Sequence, residues 1–433
     1  MKDDRGNQFN FQGDPINSGG EGKIYKTTQS GFVAKVYDKP PTSEQINKLK
    51  KMIANPPKSP PTHGNHVAIA WPTSLIFDNF DNSNKCIGFL MPQIGRNVQL
   101  IEVYNPKRRK QVLPKFDWLF LHTTALNFTK TVNSLHRADY VIGDIKPQNI
   151  LVDDSALVSI VDTDSFQVRD GAKVYRCPVA SEGFTPPELL GVNTSTVTQT
   201  VYHDRYRIAL IIYHLLFTRH PFDEGTWILG DSPSQVELMQ KGVWLYNPQG
   251  LLQSHKVTIP LQVVHPKLQE LFKKCFNDGH KDAIKRPSAD EWSEALKLAI
   301  DDLTSCGKVD NHKYSNNYGK CYWCVRKIAL NMDIFHGEAP KIKISPPKLK
   351  TNTGKTIFRP TSQPPSMGTP TVLPPAPVSP LAPQPSTPYT KTKKVIGGIL
   401  LSVGVVCLIV GYGSWVAAVG IVLGIMSFGC FSD

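Results

Sequence analysis

Ile142-Gly143-Asp144-Ile145-Lys146-Pro147-Gln148-Asn149, running into the apolar Ile150-Leu151-Val152, is the stretch that decides how this chain is read. An aspartate precedes an asparagine by five residues, with a lysine between them, just ahead of a short strand pattern. A second apolar strand, Leu157 to Val161, leads straight into Asp162. Transfer of a phosphoryl group to a hydroxyl needs a carboxylate to orient the hydroxyl and take its proton, and oxygen ligands for a divalent metal. Asp144, with Lys146 beside it, suits the first task; Asn149 and Asp162 suit the second.

Upstream, Asn17-Ser18-Gly19-Gly20-Glu21-Gly22-Lys23-Ile24-Tyr25 is a glycine-rich turn. Without side chains in the way, backbone N–H groups there can approach phosphate oxygens. Taken alone, a plain hairpin explains the glycines equally well. It is not a Walker loop, because Ile24 follows Lys23 where Ser or Thr would be needed. Thirteen residues after Gly22, Val33-Ala34-Lys35-Val36 sets a lysine in an apolar strand, which is costly without a partner. A phosphate is one such partner; a lysine snorkelling from an edge strand is the bland alternative.

With these three stretches in this order, the chain resembles the protein-kinase family over roughly residues 12–300. Gly19, Gly22 and Ile24 fit that family's glycine-rich loop, with Asn17 in place of the first glycine. The resemblance implies an α+β, bilobal fold whose small N-lobe ends near Met91-Pro92, the hinge where adenine would meet backbone groups. It implies ATP contacts at Gly19, Gly20, Gly22, Ile24, Lys35 and Met91, catalytic roles for Asp144 and Lys146, and Mg²⁺ (or Mn²⁺) on Asn149 and Asp162. Thr185-Pro186-Pro187-Glu188 resembles the close of the activation segment, Asp204 the anchor of the central C-lobe helix, and Lys285-Arg286-Pro287 the late arginine. A buried Glu188–Arg286 ion pair is therefore expected.

Departures from the family pattern are equally specific. Ile142-Gly143 stands where His-Arg is usual, and Asp162-Thr163-Asp164-Ser165-Phe166-Gln167 stands where Asp-Phe-Gly is usual. Asp-x-Asp-Ser-Phe-Gln resembles the mark of a bacterial subgroup of eukaryotic-like, Hanks-type Ser/Thr kinases. Glu44, the one acid of the first helix, is the candidate ion-pair partner for Lys35, although in the first turn it equally suits the helix N-terminus. Gly143 carries no charge, so it offers no clamp for a phosphate on Ser165, Tyr175, Ser181 or Thr185. This predicts independence from activation-segment phosphorylation, unless Arg137 or Arg169 supplies the charge.

Local patterns support an α+β domain. Lys23–Thr28 and Phe32–Tyr37 read as strands, and a helix should start at Thr42 with Gln45 completing a capping box. Phe116–Leu135 reads as an amphipathic helix and Arg205–Phe217 as a buried one.

Beyond residue 300 the composition changes. Within 301–330, Cys306, His312, Cys321 and Cys324 have the donor types of a closed tetrahedral Zn²⁺ site, Cys321 and Cys324 forming a Cys-x-x-Cys turn. A redox pair and plain reduced cysteines are the alternatives. Similar Cys/His segments follow the kinase domain in the subgroup named above. Residues 331–394 are proline-rich and basic, a composition that predicts a disordered linker. Nine Lys or Arg and no Asp or Glu lie between Lys341 and Lys394, so most of the net charge of +13 belongs to this tail. Its position argues against nucleic-acid binding. Residues 395–431 hold no charged side chain, and a break at Gly411-Tyr412-Gly413 gives either a transmembrane hairpin or one span with an apolar tail. Lys391, Lys393 and Lys394 at the entry place the kinase side in the cytoplasm, at the inner or plasma membrane. Met1–Asn10 lacks an apolar run, which predicts no signal peptide.

The expected function is ATP-dependent phosphorylation of protein Ser/Thr, itself included, at the cytoplasmic face of a lipid bilayer. The alternative is a membrane-anchored pseudokinase serving as a nucleotide-binding scaffold. A kinase of small molecules shares the Asp/Asn/Asp set, but the activation segment through Glu188 disfavours it.

Overall fold

Short β-rich runs on either side of Gly31 open the chain as a meander. In the computed structural model, β1 (Lys2–Asp3), β2 (Phe11–Ser18), β3 (Gly22–Thr27), β4 (Phe32–Tyr37), β5 (Ser74–Phe77) and β6 (Cys86–Pro92) form one antiparallel sheet ordered β1-β5-β6-β4-β3-β2. The structure describes residues 1–335 apart from 59, 61–64, 79–84, 96 and 114–115. All but the first residues of the predicted linker, and the whole of 395–431, lie outside them. Among the described residues no helix is long and apolar enough to cross a membrane.

Helix α1 (Ser43–Ala54) joins β4 to β5. Its capping box forms from the residues the sequence singles out: Gln45 N–H donates to Thr42 Oγ1 at 3.2 Å, and Thr42 N–H to Gln45 Oε1 at 2.8 Å. Leu49 then packs into a cluster with Val33, Leu75, Phe89 and Met91 of the sheet. Burial of side chains of this size contributes about 1.5–3 kcal/mol each, which fixes α1 against the sheet that carries Lys35.

A second, three-stranded sheet, β7 (Val98–Gln99), β8 (Ile150–Val152) and β9 (Val158–Ile160), holds the loop between Ile142 and Asn149. Around it stand α2 (Leu100–Tyr104), α3 (Pro106–Val112), α4 (Trp118–Arg137) and α5 (Val201–Phe217). Asp117 caps α4, accepting from Phe120 N–H at 2.9 Å. Ile208, Leu210, Ile211, Ile212, Leu215 and Phe217 of α5 are fully buried, so this helix is enclosed on every side over that stretch and forms the centre of the C-lobe core. A hairpin, β10 (Val168–Asp170) and β11 (Lys173–Tyr175), starts the activation segment. Then come α6 (Gln235–Lys241), α7 (Pro266–Lys273) and α8 (Ala289–Asp301), followed by β12 (Leu303–Ser305), β13 (Lys313–Ser315) and α9 (Tyr322–Leu330). Ser293 of α8 donates to Thr129 of α4 at 2.8 Å, deep in the same core.

Two histidines are built into this core as neutral groups. His220 Nε2–H donates to the Gly183 carbonyl at 2.8 Å while its Nδ1 accepts from Phe222 N–H at 3.2 Å, a pairing that a doubly protonated ring cannot make. His122 Nδ1–H donates to the Trp118 carbonyl at 2.8 Å. Burial holds both rings down to about 4, against an ordinary 6.5. The stability they contribute is complete above the unfolded value and lost as pH falls from 6.5 towards 4. At pH 5 each should have cost the fold about 2 kcal/mol. Urea midpoints at pH 7.5 and pH 5 should therefore differ clearly, and His220→Gln should reduce the difference; equal midpoints for the parent chain would contradict the assignment.

Candidate active site and metal centre

The catalytic-loop residues are positioned from behind by α5. Asp204, in its first turn, accepts the N–H groups of Ile142 (2.7 Å) and Gly143 (2.9 Å) and also meets His136 Nε2 (3.2 Å). Burial alone would raise its pKa, but these hydrogen bonds and the His136 and Arg207 charges bring it below the usual carboxylate range. Gly143 has φ +76°, and a Cβ there would lie 2.7 Å from the Cys177 side chain. No arginine fits at this position: the backbone is left-handed and the space belongs to Cys177.

Asp144, so held, is buried, and both its oxygens are engaged. Lys146 Nζ meets Oδ2 at 2.5 Å, and Ser181 of the activation segment donates to Oδ1 at 2.7 Å. Ser181 in turn has its carbonyl taken by Thr185 Oγ1 at 3.0 Å. Asn149 Nδ2 donates to the Asp144 carbonyl at 3.3 Å, which ties the two ends of the loop together. Glu188 receives a two-point hydrogen bond from Arg286, at 2.7 and 2.8 Å, and the arginine also meets the Gly279 and Tyr202 carbonyls. The hydrogen bonds and charge of Arg286 hold Glu188 below the usual carboxylate range. The expected pair forms but is buried on one side only: Arg286 is enclosed, whereas the Glu188 side chain is 35% exposed.

Lys35, on β4, reaches across to Asp162 Oδ1 at 2.9 Å and to both oxygens of Asp164 at 2.7 and 2.8 Å. Glu44 does not pair with it. That acid is largely exposed and its ion-pair contact is Lys173, at 3.9 Å. The reason is position along α1: Glu44 and Lys48 share a face, but Glu44 sits in the exposed first turn, and one turn further in it is Lys48 whose Nζ donates to the Asp164 carbonyl at 2.6 Å. Asp162 has φ +59°, an unusual conformation for a residue with a side chain, at the step between β9 and the short helix Thr163–Ser165.

The three glycines of the β2–β3 turn differ in role. A Cβ at Gly22 would meet the Val36 carbonyl at 2.3 Å, so this glycine serves the close approach of β3 to β4. A Cβ on Gly20 would meet nothing within 4 Å, and one on Gly19 only the Gly22 carbonyl at 3.8 Å. Nothing in the fold itself requires glycine at Gly19 or Gly20, whose backbone is open. Ile24 lies opposite Lys35 in the sheet, and Met91 is buried opposite Val33.

A separate constellation lies beyond α8. Donor atoms of Cys306, His312, Cys321 and Cys324 all fall within 4.8 Å of one another, with Cys306 and Cys324 Sγ 3.3 Å apart. His312 is fully buried, its Nδ1 faces the Sγ atoms of Cys321 (3.7 Å) and Cys324 (3.4 Å), and its Nε2 faces Asp333 at 3.1 Å. This group can hold a metal ion, with Asp333 fixing the histidine tautomer. Sequence reading missed Asp333, as it missed Asp164, Lys48 and the contact of Ser181 with Asp144. Serine seven residues ahead of Glu188 was the available signal for the last.

Residues 89–296 match the family model described as the protein kinase domain. The protein kinase YegI of Escherichia coli O157:H7 is 29% identical over 319 residues, 72% of this chain and 48% of that protein. YegI of E. coli K12 is 28% identical over the same shares. The citron rho-interacting kinase of Rattus norvegicus is 33% identical over 98 residues, 22% of this chain and 5% of that protein. The chain spans about half the length of the YegI proteins it matches. The fold of the described residues is protein-kinase-like.

Proposed function

We propose that this chain, with its protein-kinase-like fold, transfers the γ-phosphoryl group of ATP to Ser or Thr hydroxyls of proteins. The observation that carries the reading is the meeting of Lys35 with Asp162 at 2.9 Å, from 127 residues away, beside an Asp144 paired with Lys146 at 2.5 Å. Asp144 would take the proton of the acceptor hydroxyl as its oxygen bonds to the γ-phosphorus and the bond to the bridging oxygen of ADP breaks. To do so it exchanges the Ser181 hydroxyl for that of the substrate. Lys146 would steady the charge on the transferring group, and Lys35 would bind phosphate oxygens. Asn149 and Asp162 would hold Mg²⁺ or Mn²⁺, which would neutralise charge on the phosphates. Autophosphorylation belongs to the same proposal, as does control without an activation-segment phosphate, since Gly143 and Cys177 leave no room for the usual arginine.

The Cys/His group has the donor set of a closed, structural Zn²⁺ site. The uncharged 395–431 stretch and the lysines before it support attachment to a membrane with the kinase domain on the cytoplasmic side. A second reading, a nucleotide-binding scaffold, draws support from the engagement of both Asp144 oxygens by groups of the chain itself. Transfer of label from γ-³²P-ATP with Mg²⁺ to a general protein acceptor separates the two. Transfer by the parent chain and none by Asp162→Ala is the expected result. Nucleotide binding without transfer in the parent would favour the scaffold.

A further inference from the structure

Lys35 needs an acid to hold it in place, and the kinase resemblance puts that acid on α1. On α1 the residue facing Lys35 is another cation. Lys48 is 7% exposed and Lys35 8%, so two buried ammonium groups converge on one place. Like charges this close are costly in a dry environment. What reconciles them is Asp164. Its side-chain carboxylate, 5% exposed, takes Lys35 at 2.7 and 2.8 Å and Tyr37 OH at 2.9 Å. Its backbone carbonyl takes Lys48 at 2.6 Å. Burial lowers the pKa of Lys48. Burial also works against the charge on Lys35, but Asp164, then Asp162, more than restore it. The segment that carries both acids is fixed at two further points: Thr163 Oγ1 donates to the Ala70 carbonyl at 2.8 Å, and Ser165 Oγ to the Asp162 carbonyl at 2.8 Å.

We infer that Asp164, rather than any glutamate of α1, is the positioning acid for Lys35, and that Lys48 fastens α1 to the backbone of Asp164. The usual charges are exchanged between the helix and the loop: the cation sits on the helix, the acid on the loop. Lys35 and Asp162 are then aligned by one rigid turn, because the acid that orients the lysine lies two residues from the residue assigned to the metal. Lys35 has three N–H donors. Two contacts go to Asp164, and the donor now on Asp162 would be free for a phosphate oxygen if Asp162 held a metal instead. The inference rests on the phosphotransfer reading for its catalytic consequence, but the pairing itself can be tested without activity.

The experiment uses the full chain and four forms: parent, Asp164→Asn, Lys48→Glu, and the double variant Asp164→Asn/Lys48→Glu. Lys35 Nζ, enclosed by the hydrogen bonds it donates to Asp164 and Asp162, should label slowly with an activated ester, followed by mass spectrometry of the Lys35 peptide. Asp164→Asn should speed that labelling at least tenfold, and the double variant, which returns a carboxylate from the helix side, should slow it again. In Mg-ATP kinetics, Asp164→Asn should raise KM for ATP tenfold or more, and the double variant should recover a large part of the loss. A general structural defect would not be repaired by a second buried substitution. Labelling and KM within twofold of the parent in Asp164→Asn, or a double variant no better than the single one, would overturn the inference. If the parent chain transfers no phosphate but the labelling pattern holds, the pairing stands and the phosphotransfer reading fails.

Discussion

Asp144→Asn should lower kcat for phosphotransfer by a factor of 10² to 10⁴, the usual worth of a positioned acid–base group, with little change in KM for ATP. The split follows from geometry. Asp144 contacts Lys146 and Ser181 but none of the residues that line the glycine-rich turn or Lys35, so its loss affects the acceptor side of the reaction and not the nucleotide side. Asparagine keeps the size of the side chain and can still accept from Ser181, so the backbone hydrogen bonds from Ile142 and Gly143 to Asp204 should persist. Initial rates over a range of ATP and acceptor concentrations give the two constants separately. A variant with kcat within threefold of the parent would remove Asp144 from the reaction.

Removal of the zinc proposed for the Cys306, His312, Cys321 and Cys324 group should have the largest effect on stability. A structural Zn²⁺ in a small Cys/His site is worth on the order of 10 kcal/mol of local folding free energy at neutral pH. The segment has little else to fold around, but it is attached firmly to the C-lobe. Trp323 packs edge-on against Trp118 with ring centres 5.0 Å apart, and its Nε1–H donates to the Lys313 carbonyl. Arg109 of α3 donates to the Ile334 carbonyl at 3.0 Å and lies 4.9 Å from the centre of the Phe335 ring. A strong chelator, or Cys321→Ser with Cys324→Ser, should therefore expose Trp118 as well as the segment itself. The expected result is one zinc per chain by metal analysis, and a lower melting temperature with red-shifted tryptophan emission after its removal. Protein prepared without chelator that contains no zinc would refute the assignment.

What could be read in the sequence, and what could not, divides along chain separation. The capping box at Thr42, the strands around Gly31 and the spacing of Asp144, Asn149 and Asp162 are local patterns, each fixed by backbone geometry over a few residues. The starts of α4 and α5 differ from the expected Phe116 and Arg205 by two and four residues, because Asp117 and Thr200 are the caps, whereas the cap of α1 is Thr42 as expected. The partner of Lys35 was not legible. Glu44 is the one acid of α1, but it lies in the exposed first turn, a turn before Lys48, and the acid that meets Lys35 comes from Asp164, 129 residues further on. Gly143 could be seen as a missing arginine, but the reason, a Cys177 side chain in the same space, lies 34 residues away in the fold of the activation segment. Asp333 was hidden in the same way, behind a histidine whose second nitrogen no spacing rule reveals. The linker at 331–394 and the stretch at 395–431 stay as sequence expectations, apart from the few linker residues before 336.

The contacts that close the active site have one further property in common, their reach along the chain. Asp204 meets Ile142 across 62 residues, Arg286 meets Glu188 across 98, and Lys35 meets Asp162 across 127. Each closes a large loop, and the entropy of that closure must be spent before the contact returns anything. Helices α4, α5 and α8 need no such closure to start. The order of events on refolding follows: helical signal first, C-lobe core next, and the junction of Lys35 with the Asp162–Asp164 turn last. A chain emerging from a ribosome would have the whole glycine-rich sheet, complete at Pro92, for 70 residues of synthesis (92 to 162) before the acids that meet Lys35 existed.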